Sequence, residues 1–474
     1  MVSTKEKHRR NVAANLRKIF NLSFWKRVHL EFAGFEAGRP RWDLRMCLFA
    51  GLLIQILPGD TERERFKYAR AILATLFNKR RRCGETFEGF TSALSALPFE
   101  FLERVRETIQ QAVFEAALNP GKLGRWRVYG LDGSKEDLPR TEAHENHYGV
   151  VTKETTESGG AAQRLVVVAV DLRYYLALDW AGFSAIGSER DLALEVIRRL
   201  EPGALMVCDA GFIGYEWVRQ VLKSGHHLLL RVGSNAKFLS EQLPEAEFHG
   251  GQVWLWPKDK HKAGAPIILR LIRLRVTCRT DPRKEEELWL VTDVLEETAL
   301  TRDEARCYYG KRWPGNECTF RTWKHTLQAA KLDSRKPETA EREAELSLCA
   351  LLFLQVSALC ARKVERNKRR KRHNDKQHAH SKRVKRVSVA QAQCVWRDFL
   401  IPLINPRCRD ANAFTEALGD CVVDSYRRRS KKVRRKWPKR KDHRTPGVPI
   451  FRKLDSATKI LGYNRLQEQQ RAAS

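Results

Sequence analysis

Three acidic residues stand where a carboxylate can act on a ligand. Asp132 follows an apolar run in Val128-Tyr-Gly-Leu-Asp132-Gly-Ser, and Asp209 follows another in Leu205-Met-Val-Cys-Asp209-Ala-Gly-Phe. Glu317 lies near the start of a predicted helix, Trp313-Pro-Gly-Asn-Glu317-Cys-Thr-Phe-Arg-Thr-Trp-Lys324. An acidic residue after an apolar strand ordinarily only begins a turn. Two of them ending neighbouring strands, each followed by small residues, leave room for a ligand. Carboxylates a few ångströms apart repel unless a cation neutralises them, and hard oxygen ligands select Mg²⁺ or Mn²⁺. Two such ions roughly 3.5–4 Å apart clamp the attacking and leaving oxygens of an in-line phosphoryl displacement. Glu317, Phe320, Arg321 and Lys324 fall at i, i+3, i+4 and i+7, so one helical face carries a carboxylate and two cations around an aromatic ring. On spacing alone, a solvated amphipathic helix shows the same face.

Residues 1 to about 120 read as helical; in Phe101–Leu118, Leu102, Val105, Ile109, Ala112, Val113 and Ala116 recur at three- and four-residue steps. After Asn119-Pro-Gly the texture turns to short strands, Trp126–Leu131, Leu165–Val170 and Tyr174–Leu178, the last two forming a hairpin across Asp171-Leu-Arg. A helix over 189–200, capped by Ser188 and stopped by Pro202-Gly203, leads to a strand Ala204–Cys208. A helix over 214–224 and a strand Leu228–Val232 follow. The order strand, strand, strand, helix, strand, helix, strand calls for an α/β mixed sheet with helices on its faces, where chemistry collects at strand ends. Residues 235–298 are again strand-like, a β-rich insertion, and from Thr301 the pattern is helical through about 361. No Gly-rich phosphate loop of either common spacing occurs.

The chain has 474 residues, 42% of them hydrophobic, enough for a sizeable core. With 88 Lys+Arg against 57 Asp+Glu its formal charge is +31, which points to a polyanionic partner, nucleic acid first and acidic membrane second. Arg362–Arg386 and Tyr426–Arg444 each carry a net +11, so two short blocks hold 22 of the 31 excess charges. Such blocks bind phosphates without sequence preference, or remain as solvated tails. Eleven cysteines without a Cys-x-x-Cys pair favour neither a disulfide framework nor a zinc ribbon, and fit a reducing cytosol. The start lacks a signal-peptide core, and the apolar runs Met46–Leu57 and Leu346–Ala361 are too short to span a bilayer comfortably, so both read as buried helices and no membrane is expected.

The ordered set Asp132-Gly, Asp209-Ala-Gly-Phe and Tyr309-Gly-Lys-Arg312-Trp-Pro-Gly-Asn-Glu317, with Lys324 seven residues on, resembles the bacterial cut-and-paste DDE transposases of insertion sequence family four and their Tyr-Arg-Glu-Lys signature. The resemblance runs from about Trp126 to Gln355 and includes Trp289-Leu-Val-Thr-Asp and Leu332-Asp-Ser-Arg-Lys-Pro-Glu. It implies an RNase H-like mixed sheet with a β-rich insertion, flanked by helical N-terminal and basic helical C-terminal regions. The expected division is a helical DNA-binding region 1–122, the first part of the catalytic core 123–234, the insertion 235–298, the last part of the core with the Glu helix 299–361, and a basic, partly disordered region 362–474.

By the same resemblance, Asp132, Asp209 and Glu317 would hold two Mg²⁺ or Mn²⁺ ions. They would activate water to cut transposon ends, and the freed 3′-hydroxyl would then attack target DNA. Tyr309, Arg312 and Lys324 would grip DNA near the cut, with Arg321 on the same face; Trp289 would hold a flipped base unless it is a core aromatic. The N-terminal helices would recognise terminal inverted repeats, although no helix-turn-helix is evident and only Lys79–Arg82 forms a basic patch there. The partners implied are double-stranded DNA and a second copy of the chain in a synaptic homodimer, in a bacterial cytoplasm at the nucleoid. Three other readings stand beside this one: a catalytically degenerate DNA-binding protein, an RNase H-like nuclease, and a basic RNA-associated protein.

One departure bears on the site. The family usually places about three residues between the signature Arg and Glu, whereas Trp313, Pro314, Gly315 and Asn316 make four. In an unbroken α-helix the extra residue turns Glu317 by about 100° relative to Tyr309 and Arg312. Pro314-Gly315 is where a break would reset the phase.

Overall fold

The computed structural model describes residues 4–37, 41–77, 83–115, 122–151, 160–242, 251–277, 285–373, 386–403, 418 and 447–473. About half of the first basic block, all of the second and the Lys79–Arg82 patch lie outside them.

Seven helices come first: α1 (Thr4–Ile19), α2 (Leu22–Glu31), α3 (Ala33–Ala37), α4 (Leu44–Ile56), α5 (Glu62–Leu76), α6 (Phe87–Ser95) and α7 (Phe99–Glu115). Asp43 caps α4 by accepting the Met46 N–H, and Thr61 with Glu64 forms a reciprocal capping box on α5. Eleven of the thirteen α4 residues are buried, as a helix apolar on every side requires.

Eleven strands then build one sheet: β1 (Lys122–Leu123), β2 (Trp126–Asp137), β3 (Gln163–Asp171), β4 (Leu176–Ser184), β5 (Ala204–Cys208), β6 (His227–Val232), β7 (Lys237–Ser240), β8 (Gln252–Leu255), β9 (Ile267–Thr277), β10 (Glu285–Thr292) and β11 (Ile450–Lys453). The order is β11-β7-β8-β9-β10-β6-β5-β2-β3-β4, with β1 on β2. Within β4-β3-β2-β5-β6 the first two pairings are antiparallel and the last two parallel, which is the RNase H-like arrangement expected from the sequence. The β-rich insertion is a continuation of this sheet, because β10 pairs directly with β6. Its outer edge is closed by β11, parallel to β7, so the C-terminal region supplies a strand as well as helix.

Between the strands lie α8 (Glu142–Tyr148), α9 (Glu189–Arg199) and α10 (Tyr215–Lys223). The 189–200 prediction matches α9, and Ser188 caps it through the Asp191 N–H. The strand predicted at Tyr174–Leu178 starts later and runs further, because Asp171 accepts from the Arg173 and Tyr174 N–H groups and the turn continues to Tyr175.

One face of the sheet packs with α9 and α10, and the other with the N-terminal helices and the long helix α13 (Pro337–His373). Phe20 stacks on Phe353 with ring centroids 6.4 Å apart, so the N-terminal helices and α13 share one core. The chain boundary near 122 is therefore no break in packing. Pro337–Val364 is long and apolar enough to cross a membrane by length and composition, and 89% of its apolar window is buried inside the fold.

Candidate active site

Asp132 sits inside β2 and does not end a strand, contrary to the sequence expectation. Pairing with β5 covers only Arg127–Gly130, while pairing with β3 continues to Asp137. The strand is therefore two-sided as far as Gly130 and open on its β5 side beyond it, and Asp132 lies in that opening. Asp209 does follow its strand, and its Oδ1 accepts the Ala210 N–H at 2.9 Å.

Glu317 is not near a helix start. The helix begins with α11 (Arg302–Arg312), capped by a Thr301/Glu304 box, and passes through Trp313–Glu317 into α12 (Cys318–Arg321) without leaving helical dihedrals. Instead of breaking at Pro314-Gly315, the helix widens: the Cys318 N–H reaches the Trp313 carbonyl, five residues back. Such a π-turn holds one residue more than an α-turn, so it absorbs the fourth residue of the Arg-to-Glu interval. Asn316 locks it in place, its fully buried Nδ2 donating to the Gly130 carbonyl of β2 at 3.0 Å. A Cβ on Gly130 would lie 2.2 Å from Asn316 Oδ1, so glycine is required there. A second widened turn, Thr322–Thr326, carries Lys324.

These elements bring Asp132, Asp209, Tyr309 and Arg312 together. Arg312 donates from Nη1 to Asp132 Oδ2 at 2.8 Å and from Nη2 to Asp209 Oδ2 at 3.2 Å, and the Tyr309 hydroxyl donates to Asp209 Oδ1 at 3.2 Å. Burial pushes the Asp132 carboxyl up to about 7; Glu189, Glu317 and Asp209 add to the rise, and Arg312 opposes it. Burial works against the charge of Arg312, yet Tyr309 and the two aspartates outweigh it and hold the guanidinium above its usual range. Burial and then Asp209 push Tyr309 up to about 12, against the pull of Arg312 and of Arg231 on β6.

The remaining candidates are placed differently. Arg321 is exposed one turn beyond Glu317, which is also exposed, whereas Phe320 is buried in the core and does not share that open face. Lys324 donates to the Lys135 carbonyl of β2, and burial lowers its pKa. Trp289 is 4% exposed on β10, between Phe451 of β11 at 5.9 Å and the Arg273 guanidinium at 4.9 Å, in the position of a core aromatic.

Sequence reading did not single out Asn316, Arg231 or Glu189. Glu189 opens α9 and lies against Gly133, where burial raises its carboxyl and the Gly133 backbone moderates the rise. The signal available for it was the glycine after Asp132, whose partner comes from a distant helix.

Among the described residues, no three acidic, histidine or cysteine side chains enclose an ion. The guanidinium of Arg312, bridging two carboxylates, stands in for a cation. The donor set, carboxylate oxygens in excess of cations, fits a hard divalent ion.

Residues 142–353 match the family model described as a transposase DDE domain, a span that begins after Asp132 and contains Asp209 and Glu317. A cryo-EM structure of a piggyBac transposase synaptic complex with hairpin DNA is similar with a TM-score of 0.40 and 9% identity, covering 80% of this chain and 76% of that chain. No curated protein matches the chain. Over its central segment, the chain is thus similar to the DDE domain of transposases.

Proposed function

We propose that the chain is a DNA transposase of the cut-and-paste type, related to insertion sequence family four. The observation that carries this reading is the convergence of Asp132, Asp209, Tyr309 and Arg312, with Glu317 acting electrostatically on Asp132, largely within a segment that matches the DDE domain. Asp132, Asp209 and Glu317 would hold two Mg²⁺ or Mn²⁺ ions. When bound, these ions would polarise the scissile phosphate and make water, and later the 3′-hydroxyl, a stronger nucleophile.

The chain's own groups position the reactants. Arg321 faces solvent beside Glu317 and meets a phosphate backbone from the open side. Arg312 exchanges its aspartate contacts for DNA close to the cut, Tyr309 orders the Asp209 loop, and Lys324 braces β2. Two copies would join two ends on double-stranded DNA in a bacterial nucleoid.

The test is cleavage of labelled DNA carrying the flanks of this gene, with Mg²⁺ or Mn²⁺ and with chelator, for wild type, Asp132→Ala and Glu317→Ala. Metal-dependent cuts at the element's ends and strand-transfer products are expected for wild type alone. Cuts without joined products would make it a nuclease; binding without cuts in every sample would make it a DNA-binding remnant. The widened turn at Trp313–Glu317 removes the phase argument for the latter.

A further inference from the structure

We infer that Arg386, the last residue of the first basic block, is a positioning residue for Glu317, holding the widened turn of the catalytic helix from outside. The inference rests on the transposase reading above, which is what gives Glu317 a role. In an α-helix the Cys318 N–H would bond the Pro314 carbonyl, four residues back. Here that N–H is shared between the carbonyls of Gly315 and Trp313, so the widening takes from the Pro314 carbonyl its regular donor. Arg386 supplies another, donating from Nη1 to the Pro314 carbonyl at 3.0 Å across 72 positions of chain.

The turn is thereby gripped at three consecutive residues. Asn316 donates inward to the Gly130 carbonyl at 3.0 Å, and Pro314 is held by Arg386. Between them Gly315 lies against Leu172, whose Cδ2 would be 2.6 Å from a Cβ at that position. Arg312 precedes the turn and Glu317 closes it, so relaxation towards α geometry would rotate one against the other. Arg386 is itself fixed in place. Val387 and Val389 are buried in the core that the N-terminal helices share with α13, and Ser388 caps α14 (Val389–Leu400) by accepting the Gln391 N–H at 3.4 Å. Trp396 of α14 donates to the Ser357 hydroxyl of α13 at 3.1 Å, and α14 packs beside the second widened turn, which carries Lys324. The segment that follows the basic block thus braces both irregular turns of the catalytic helix. A bond to a neutral carbonyl needs a well-placed N–H and not the charge of the arginine, which separates this role from a contact with DNA phosphate.

The assignment is tested on the full chain in wild type, Arg386→Ala and Arg386→Lys. The measurements are single-turnover cleavage at saturating DNA carrying the gene's flanks, the salt dependence of DNA affinity in chelator, melting midpoints and hydrogen–deuterium exchange. Arg386→Ala is expected to slow cleavage about tenfold or more, while DNA affinity stays within about twofold. Its backbone amides from Gly315 to Arg321 should exchange faster, and those in the buried part of α13 should not. Arg386→Lys, which keeps N–H donors on a long stem, is expected to recover cleavage to within about threefold of wild type. Weaker affinity with a salt slope lower by about 1 and an unchanged rate would make Arg386 a phosphate contact and overturn the inference. Unchanged exchange at the turn would also overturn it, as would exchange raised throughout the chain with a lowered midpoint, the mark of a general structural contact. A wild type that binds DNA without cutting it would overturn the transposase reading alone, and exchange at the turn would still decide whether Arg386 holds it.

Discussion

Asp132 and Glu136 lie four residues apart on β2, and burial pushes both carboxyls up to about 7, yet their surroundings differ. Glu136 is fully buried against Arg164, which bonds it at 2.9 Å and Glu341 at 3.0 Å, while Glu341 also accepts from the Tyr148 hydroxyl. Nearby, Arg199 and Arg106 pair with Asp179, and Arg106 also with Glu345. Carboxylates and guanidiniums are almost matched in that sealed network. Around Asp132, the carboxylates of Asp209, Glu317 and Glu189 gather in a place partly open to solvent, and the one guanidinium bonded there, that of Arg312, reaches only Asp132 and Asp209. The same desolvation produces a structural brace where charges balance and a demand for cations where they do not.

Breaking the brace gives the largest effect. Arg164→Leu leaves Glu136 buried without its partner and is expected to cost about 3–5 kcal/mol in urea denaturation, with no recovery in Mn²⁺. Arg312→Leu is expected to cost less, about 1–2 kcal/mol from lost charged hydrogen bonds, and Mn²⁺ should restore it. Recovery of Arg164→Leu by Mn²⁺ would erase the distinction between the two clusters.

Asn316→Ala is expected to cost about 2 kcal/mol, since the Gly130 carbonyl loses its buried donor. Cleavage should fall more than stability, because the phase of Glu317 depends on that lock.

The third effect is a pH dependence. Because the folded pKa of Asp132 is raised, its protonated form stabilises the metal-free fold at low pH. That contribution is lost as pH rises from the ordinary carboxylate value, 3.8, through about 7. Melting midpoints in chelator should therefore decline across this window more steeply for wild type than for Asp132→Asn. Equal slopes would count against the burial that raises the Asp132 carboxyl. The smallest effect is that of Arg321→Ala, which should leave stability within about 0.5 kcal/mol and reduce the salt slope of DNA binding by about 1.

Much of this arrangement was legible in the sequence. Apolar runs marked β3, β5 and β6, Ser188 marked the start of α9, and three spaced motifs marked the aspartates and the Glu helix. The far half of β2 was not legible, because Gly-Ser-Lys-Glu reads as a loop until β3 pairs with it and Arg164 satisfies Glu136. The widened turn was hidden because Pro314-Gly315 ordinarily signals a break, and only the distant Gly130 carbonyl shows what Asn316 holds. Glu189 was hidden for the same reason: its neighbour Gly133 lies 56 positions earlier in the chain.

The pairing of β11 with β7 sets a schedule for biosynthesis. A ribosome releases Lys237–Ser240 more than 200 residues before Ile450–Lys453, so the edge of β7 waits uncovered until those residues are made. An uncovered strand edge invites pairing with other chains. Nascent or truncated copies ending before Ile450 would thus be the aggregation-prone species, because β7 would then lack its outer neighbour.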